Sequence, residues 1–372
     1  MVYLLFAVCS YLYLLLLSKY KEVGYKTVIV FSLPVIFAWV LIIGSQYYVG
    51  TDYPTYLSLF KNIDSAKNED TEFGFVYFVY LCNYLGFYGQ DLFFIIAFFW
   101  ILSLLQISRT ITTSKYVFIF VFVFVTVSTV FNNQMNGVRQ YVAVYFFTSS
   151  VLYMLNKKYV LFLIAFFLSF SWHMSAVILV PILLLFYFFK LQNSRFLLSS
   201  IVLFSIAFNF FFKEEWLYSF IAITNLYDSY LDSDYVQEVS LFNKLTKLMY
   251  TPVVLCSIYK FKKYDLNFDE KSIFVIGVYS YAIFMACLSN TLTNRFGMYF
   301  TILSCIPFVY FLIYLYKKKT LASYLLYLLL CFFILLVYAL KVTRFSTGEY
   351  AFDSIFFLKK IGIRRKEKQS ST

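Results

Sequence analysis

Long apolar runs, each closed by a short polar break, constrain this chain more than any other feature. Between the breaks they fall near residues 2–18, 27–44, 91–107, 116–131, 139–155, 159–172, 174–190, 196–212, 245–260, 272–289, 296–316 and 320–340. Most have the length an α-helix needs to cross hydrocarbon, about twenty residues, and lack the ten-residue alternation of a membrane barrel. Backbone amides in a bilayer must be satisfied within their own segment, so helices are required. Composition agrees: 62% of the 372 residues are hydrophobic and 13% charged, and mean hydropathy is +0.76, outside the range of a water-soluble domain. The predicted fold class is all-α: a polytopic integral membrane protein with about 12 transmembrane helices.

The net charge of +12 would suggest nucleic acid in a soluble protein. Here the basic residues recur as Lys19/Lys21/Lys26, Arg109/Lys115, Lys157/Lys158, Lys190/Arg195, Lys260/Lys262/Lys263 and Lys317/Lys318/Lys319. These clusters occupy alternate loops, as the positive-inside rule requires of cytoplasmic ones. The expected partner is therefore the lipid bilayer, and no nucleic acid. Counting Phe73 to Tyr88 as a full span would put every later cluster on the wrong side, so it is expected as an interfacial or re-entrant helix on the outer face.

The expected organisation is one polytopic domain, 1–340, with outer loops 44–72 and 213–244 and a basic tail, 341–372. The second loop carries Glu214, Glu215, Asp228, Asp232, Asp234 and Glu238. An even span count leaves the tail residues Lys359 to Lys368 outside, against the charge rule. Val2 to Leu17 lacks a basic leader and reads as a retained helix rather than a signal peptide. The six cysteines show no ligand or redox spacing, so neither a disulfide framework nor a zinc site is expected; with a single histidine and few carboxylates near it no metal site is expected, and no cofactor is expected.

Polar residues at segment ends are the candidates for chemistry, because each needs a partner near hydrocarbon. The stretch Asn132 to Gln140 packs amides and Arg139 between two apolar runs. A guanidinium there either matches phosphate oxygens with a planar fork of donors or snorkels to the headgroups, and Asn136 and Gln140 lie beside it. Arg295, after Ser289 to Asn294, has the same setting and reads either as a second phosphate-binding group or as an interfacial anchor. His173, the single histidine, stands in the turn Ser171 to Ser175, where its imidazole suits proton transfer near neutral pH or a hydrogen bond to phosphate, or else is an ordinary turn or interface residue.

Asp52, in the turn Gly50 to Tyr56 with Tyr53 beside it, is a carboxylate able to orient a hydroxyl or take its proton, or else the cap of an ordinary turn. Glu72 is a second carboxylate. Its position before Phe73 is equally that of an acid favoured by a helix N-terminus. All are expected on the outer side.

Four ordered elements carry a resemblance: Asp52-Tyr53-Pro54-Thr55-Tyr56, Glu72-Phe73-Gly74-Phe75, Asn136-Gly137-Val138-Arg139-Gln140 and His173-Met174-Ser175, followed by Arg295. Together they resemble the EpsG family, Wzy-like membrane polymerases of bacterial exopolysaccharide and capsule. The resemblance implies glycosyl transfer on the outer face of the inner (cytoplasmic) membrane. A polyprenyl-diphosphate-linked oligosaccharide would be donor and acceptor, and a flippase and a chain-length regulator would be protein partners.

On that reading Arg139 and Arg295 hold the diphosphate, His173 or Asp52 prepares the acceptor hydroxyl, and Asn136, Gln140, Tyr53 and Glu72 line the substrate. A polysaccharide ligase and a non-enzymatic transporter or flippase of lipid-linked glycan are the alternatives. Neither inverted repeats nor paired broken helices stand out in the sequence to favour transport.

Overall fold

The computed structural model describes residues 1–19, 24–62, 64, 71–188, 194–212, 238–344 and 348–357, and these are helical with two isolated bridges and no strand. In chain order the helices begin with α1 (Val2–Leu17), α2 (Tyr25–Phe31), α3 (Leu33–Gly44), α4 (Tyr53–Lys61), α5 (Phe73–Tyr84) and α6 (Gln90–Ile111). Next come α7 (Val117–Val127), α8 (Val130–Asn133), α9 (Val138–Leu155), α10 (Tyr159–Trp172), α11 (Val180–Phe188) and α12 (Arg195–Phe211). The series ends with α13 (Leu241–Leu248), α14 (Thr251–Lys260), α15 (Phe268–Ala286), α16 (Thr291–Gly297), α17 (Ile306–Lys317) and α18 (Leu321–Arg344).

Among the described residues, α6 and α18, of 22 and 24 residues, are long and apolar enough to cross a membrane alone. The stretch expected as one helix over 296–316 is instead two helical pieces, Thr291–Phe300 and Leu303–Lys317, bent by 66° and able to make a third span together. The other apolar helices are shorter, at 10–17 residues, so among the described residues length and composition identify two spans, or three with the bent pair, and do not by themselves establish twelve.

Proline explains much of the interruption. All five prolines, Pro34, Pro54, Pro181, Pro252 and Pro307, fall in the first two residues of a helix. There the missing N–H costs nothing, whereas inside a longer helix it would break a hydrogen bond. Thr129, at φ 65°, separates α7 from α8 by a left-handed residue.

The described residues form two compact units. The first comprises 1–145, 167–174 and 331–372. In it α3 lies along α6, α1 along α7, and α7 against α6. The sequence of α7, VFIFVFVFVTV, is apolar on every side, and all of its residues are buried, as a helix without a polar face must be. Phe131 stacks on Phe6 at 5.1 Å and meets Trp39 edge-on at 4.8 Å, so ring packing fills the layer between these helices.

The second unit comprises 146–166 and 175–330. Its centre is α15, which packs on α12, on α17 and on the turn Leu303–Cys305. Asn267 and Glu270 close a capping box at its start. At Gly277 a Cβ would lie 2.6 Å from Ile306 Cβ, so glycine is what lets α15 approach the start of α17. Most of the acidic loop 213–244 lies outside the described residues. Its end is described: Glu238 bridges to Asn290, and the Val239 N–H donates to the Ser289 carbonyl at 3.3 Å. The basic residues Lys359 to Lys368 also lie outside the described residues.

Candidate functional site

In the first unit the starts of α5 and α9 and the end of α10 converge on one buried carboxylate, and helix register explains how. Ser169 Oγ donates to the Ala143 carbonyl at 2.8 Å, fixing α10 against α9. One turn along each helix from that contact stand His173 and Arg139, so the hydrogen bond levels the imidazole with the guanidinium. The His173 N–H closes α10 by donating to the Ser169 carbonyl at 3.1 Å.

The approach of α5 depends on Gly74. A Cβ there would lie 2.5 Å from Ser171 Oγ and 2.7 Å from the Ser171 carbonyl oxygen, a clash with backbone that only glycine avoids. Rings complete the seat: Trp172 packs edge-on to Phe75 at 6.0 Å and tilts against Phe78 at 5.1 Å. The residue before Phe73 is thereby delivered to the end of α10.

That residue is Glu72. Oε1 lies 2.5 Å from His173 Nδ1, and Oε2 lies 2.5 Å from Arg139 Nη1. The carboxylate makes no hydrogen bond to cap its own helix, and its two oxygens are engaged by these two partners. Side-chain exposure is 7% for Glu72, 30% for Arg139 and 24% for His173. The acid is enclosed, while both basic groups keep an open side.

Burial pushes the Glu72 carboxyl up. The hydrogen bond from His173 and the charges of Arg139 and His173 more than reverse this and hold it below the usual carboxylate range. It is ionised at neutral pH. The Arg139 guanidinium also sits over the Phe75 ring at 5.6 Å.

A second layer links this cluster to Asp52. The Arg139 N–H is one of the donors that a helix start leaves unpaired, and it donates to the Tyr56 hydroxyl at 3.4 Å. Three residues earlier, Asn136 Oδ1 accepts from the Asp52 N–H at 3.0 Å and from Thr51 Oγ1 at 3.4 Å. Gly50, at φ +78°, makes the turn around Asn136, and a Cβ there would lie 2.4 Å from Asn136 Oδ1. Asp52 is exposed, and its carboxylate accepts from Thr51 Oγ1 at 3.1 Å.

Of the expected site residues, Glu72, Arg139 and His173 are in direct contact, and Asp52 joins them through Asn136 by its backbone. Gln140 stands half-buried beside Arg139 on the first turn of α9. Tyr53 is 1% exposed, and its hydroxyl donates to Gln90 Oε1 at 2.7 Å. Gln90 Nε2 in turn donates to the Gly44 and Gln46 carbonyls at 2.7 and 3.0 Å. Tyr53 therefore braces the turn from beneath.

Arg295 belongs to the second unit, half-buried on α16, which a capping box of Asn290 and Thr293 starts. Ser175 is also in that unit, where its hydroxyl shares a hydrogen bond of 2.9 Å with the Tyr299 hydroxyl. Tyr56 is the residue that sequence reasoning passed over. Its spacing from Asp52, one helical turn, was the available signal.

The EpsG family model matches residues 28–353, a span that contains every one of these side chains. No curated protein and no solved structure matches the chain. A match over most of the sequence, within which the ordered elements around Asp52, Glu72, Arg139 and His173 meet at one site, shows that the chain belongs to the EpsG family of Wzy-like polymerases.

Proposed function

We propose that this protein is a membrane polysaccharide polymerase that works on the extracytoplasmic face of a bacterial cytoplasmic membrane. It moves a glycan from its polyprenyl diphosphate carrier to a hydroxyl of the next lipid-linked repeat unit. The observation that carries the reading is the division of the Glu72 carboxylate, one oxygen to His173 and the other to Arg139.

Each half of that arrangement has a use. A carboxylate on Nδ1 fixes the imidazole tautomer with the proton on Nδ1, which leaves Nε2 able to accept a proton, the logic by which an acid orients a catalytic histidine. Arg139, held through Nη1, keeps donors of its fork for phosphate oxygens. Diphosphate is already a good leaving group. The main demands are therefore stabilisation of the charge that grows on it and a base for the acceptor.

In the proposed step the acceptor oxygen bonds to the anomeric carbon while the bond from that carbon to the diphosphate oxygen breaks. The diphosphate leaves with the electron pair, and the acceptor proton passes to His173 Nε2. No covalent enzyme intermediate is invoked, so a direct displacement with inversion is the economical course. Asn136, Gln140 and the exposed Asp52 carboxylate orient the acceptor.

Purified protein supplied with lipid-linked repeat units tests the reading. Long chains should form with the wild type, and Arg139→Lys, which keeps the charge but loses the fork, should form few. Full polymer formation by both Arg139→Lys and Arg139→Ala would end the diphosphate role. Transfer of preformed polymer without elongation of single repeats would assign a ligase instead.

A further inference from the structure

The C-terminal segment 348–357, far in sequence from every residue above, is tied to both loops that carry the site. It consists of two 3-10 turns, Gly348–Tyr350 and Ile355–Phe357, joined by residues 351–354, of which Ser354 bridges to Gln46. At one end the Ile355 N–H donates to the Ser45 carbonyl at 2.9 Å, and the Tyr47 N–H donates to the Asp353 carbonyl at 3.2 Å. Ser354 Oγ donates to Ser45 Oγ at 2.8 Å. At the other end Asn132 Nδ2 donates to the Glu349 carbonyl at 3.5 Å, and the Tyr3 hydroxyl donates to the Ala351 carbonyl at 3.4 Å. Phe352 meets the Tyr3 ring edge-on at 5.7 Å.

These anchors are not surface contacts. Ser45, Ser354, Asn132 and Tyr3 are all at most 2% exposed. Ser45 opens the loop that runs to Asp52, and Asn132 opens the loop that runs to Asn136 and Arg139. Those loops meet each other at the hydrogen bond from the Asp52 N–H to Asn136. The C-terminal segment therefore closes a ring of hydrogen bonds around them: one join is at the substrate-facing end and the other is made by the segment itself.

We propose that residues 348–357 are a fixed clamp and a working part of the site, which sets the register between the Asp52 loop and the Arg139 loop. Ser354 and Asn132 are then positioning residues acting through Asn136 and Arg139. The turnover arm of the test rests on the polymerase reading, and the exchange arm does not. A clamp that holds both loops has consequences at a distance that a local tether lacks.

The test uses the full chain. In Ser354→Ala, amide exchange should rise together over 45–56 and 132–140, and turnover on lipid-linked repeats should fall about fivefold with KM unchanged. Ser45→Cys/Ser354→Cys supplies the rescue, because oxygens 2.8 Å apart mark a position that a disulfide can bridge. Reduced, it should behave like Ser354→Ala; oxidised, it should regain wild-type turnover and protection. The wild type taken through the same redox steps controls for the six native cysteines.

Two results would overturn the clamp. One is a rise in exchange confined to 45–47 in Ser354→Ala. The other is an oxidised double variant that stops turning over and recovers with reductant, which would show that the segment has to open. A wild type that never elongates lipid-linked repeats would defeat the polymerase reading, while the exchange measurement would still decide the clamp.

Discussion

At the scale of single residues the proposed chemistry turns on Glu72, because one enclosed carboxylate pairs with two groups that keep open sides. In Glu72→Gln the imidazole loses its orienting charge and the guanidinium its partner. Turnover should fall on the order of a hundredfold, the usual range for disabling a general base. Stability should fall less, by about 1–3 kcal/mol, since Arg139 and His173 are partly screened by solvent.

The pH dependence follows from the direction of the Glu72 shift. A carboxyl held below its ordinary value of 4.5 contributes stability that is fully present above that value. The contribution is lost as pH falls through the lower folded-state value. Thermal unfolding in detergent should therefore show the gap between wild type and Glu72→Gln constant from pH 7 to about 5 and closing below pH 4. A gap unchanged down to pH 3 would mean that the carboxylate is not paired as described.

At the scale of elements, the site depends on two glycines that make room rather than contacts. Gly74→Ala would push α5 away from Ser171, and Gly50→Ala would combine a positive φ with a clash on Asn136. Each should cost about 1–3 kcal/mol in unfolding measurements. Each should also slow elongation, Gly74→Ala through Glu72 and Gly50→Ala through Asn136. Wild-type turnover in either variant would show that the helix ends tolerate separation.

The same scale shows what could be read from sequence. That Glu72, Arg139 and His173 each sit at a helix end followed from polar residues flanking apolar runs. That one carboxylate joins the other two did not, because the register set by Ser169 on Ala143 is a tertiary fact. The helix breaks are legible in the sequence at proline. Each of the five prolines marks a helix start, and four of them, Pro34, Pro181, Pro252 and Pro307, lie inside apolar runs that a hydropathy window sums into one long span.

For the whole molecule, the proposed outer-face location of the site rests on the alternation of basic clusters in the sequence, and the family match supports the polymerase reading. Reporter fusions after Lys115, Lys158 and Lys318 should all report cytoplasm. An outer position for Lys158 would invert the arrangement and place the Glu72 cluster on the wrong side for a lipid-linked glycan delivered outside. Arg295, in the second unit, is a separate functional question: Arg295→Lys should reduce polymer yield at unchanged protein level if its fork binds phosphate, and leave it intact if it is an interfacial anchor.

The most direct test of the central claim is elongation of lipid-linked repeat units by purified wild type, Glu72→Gln, Arg139→Lys and His173→Gln, with folding checked by thermal melts. Long chains are expected from the wild type, with a loss of about a hundredfold or more in each folded variant. Wild-type chain formation by all three variants would contradict that claim.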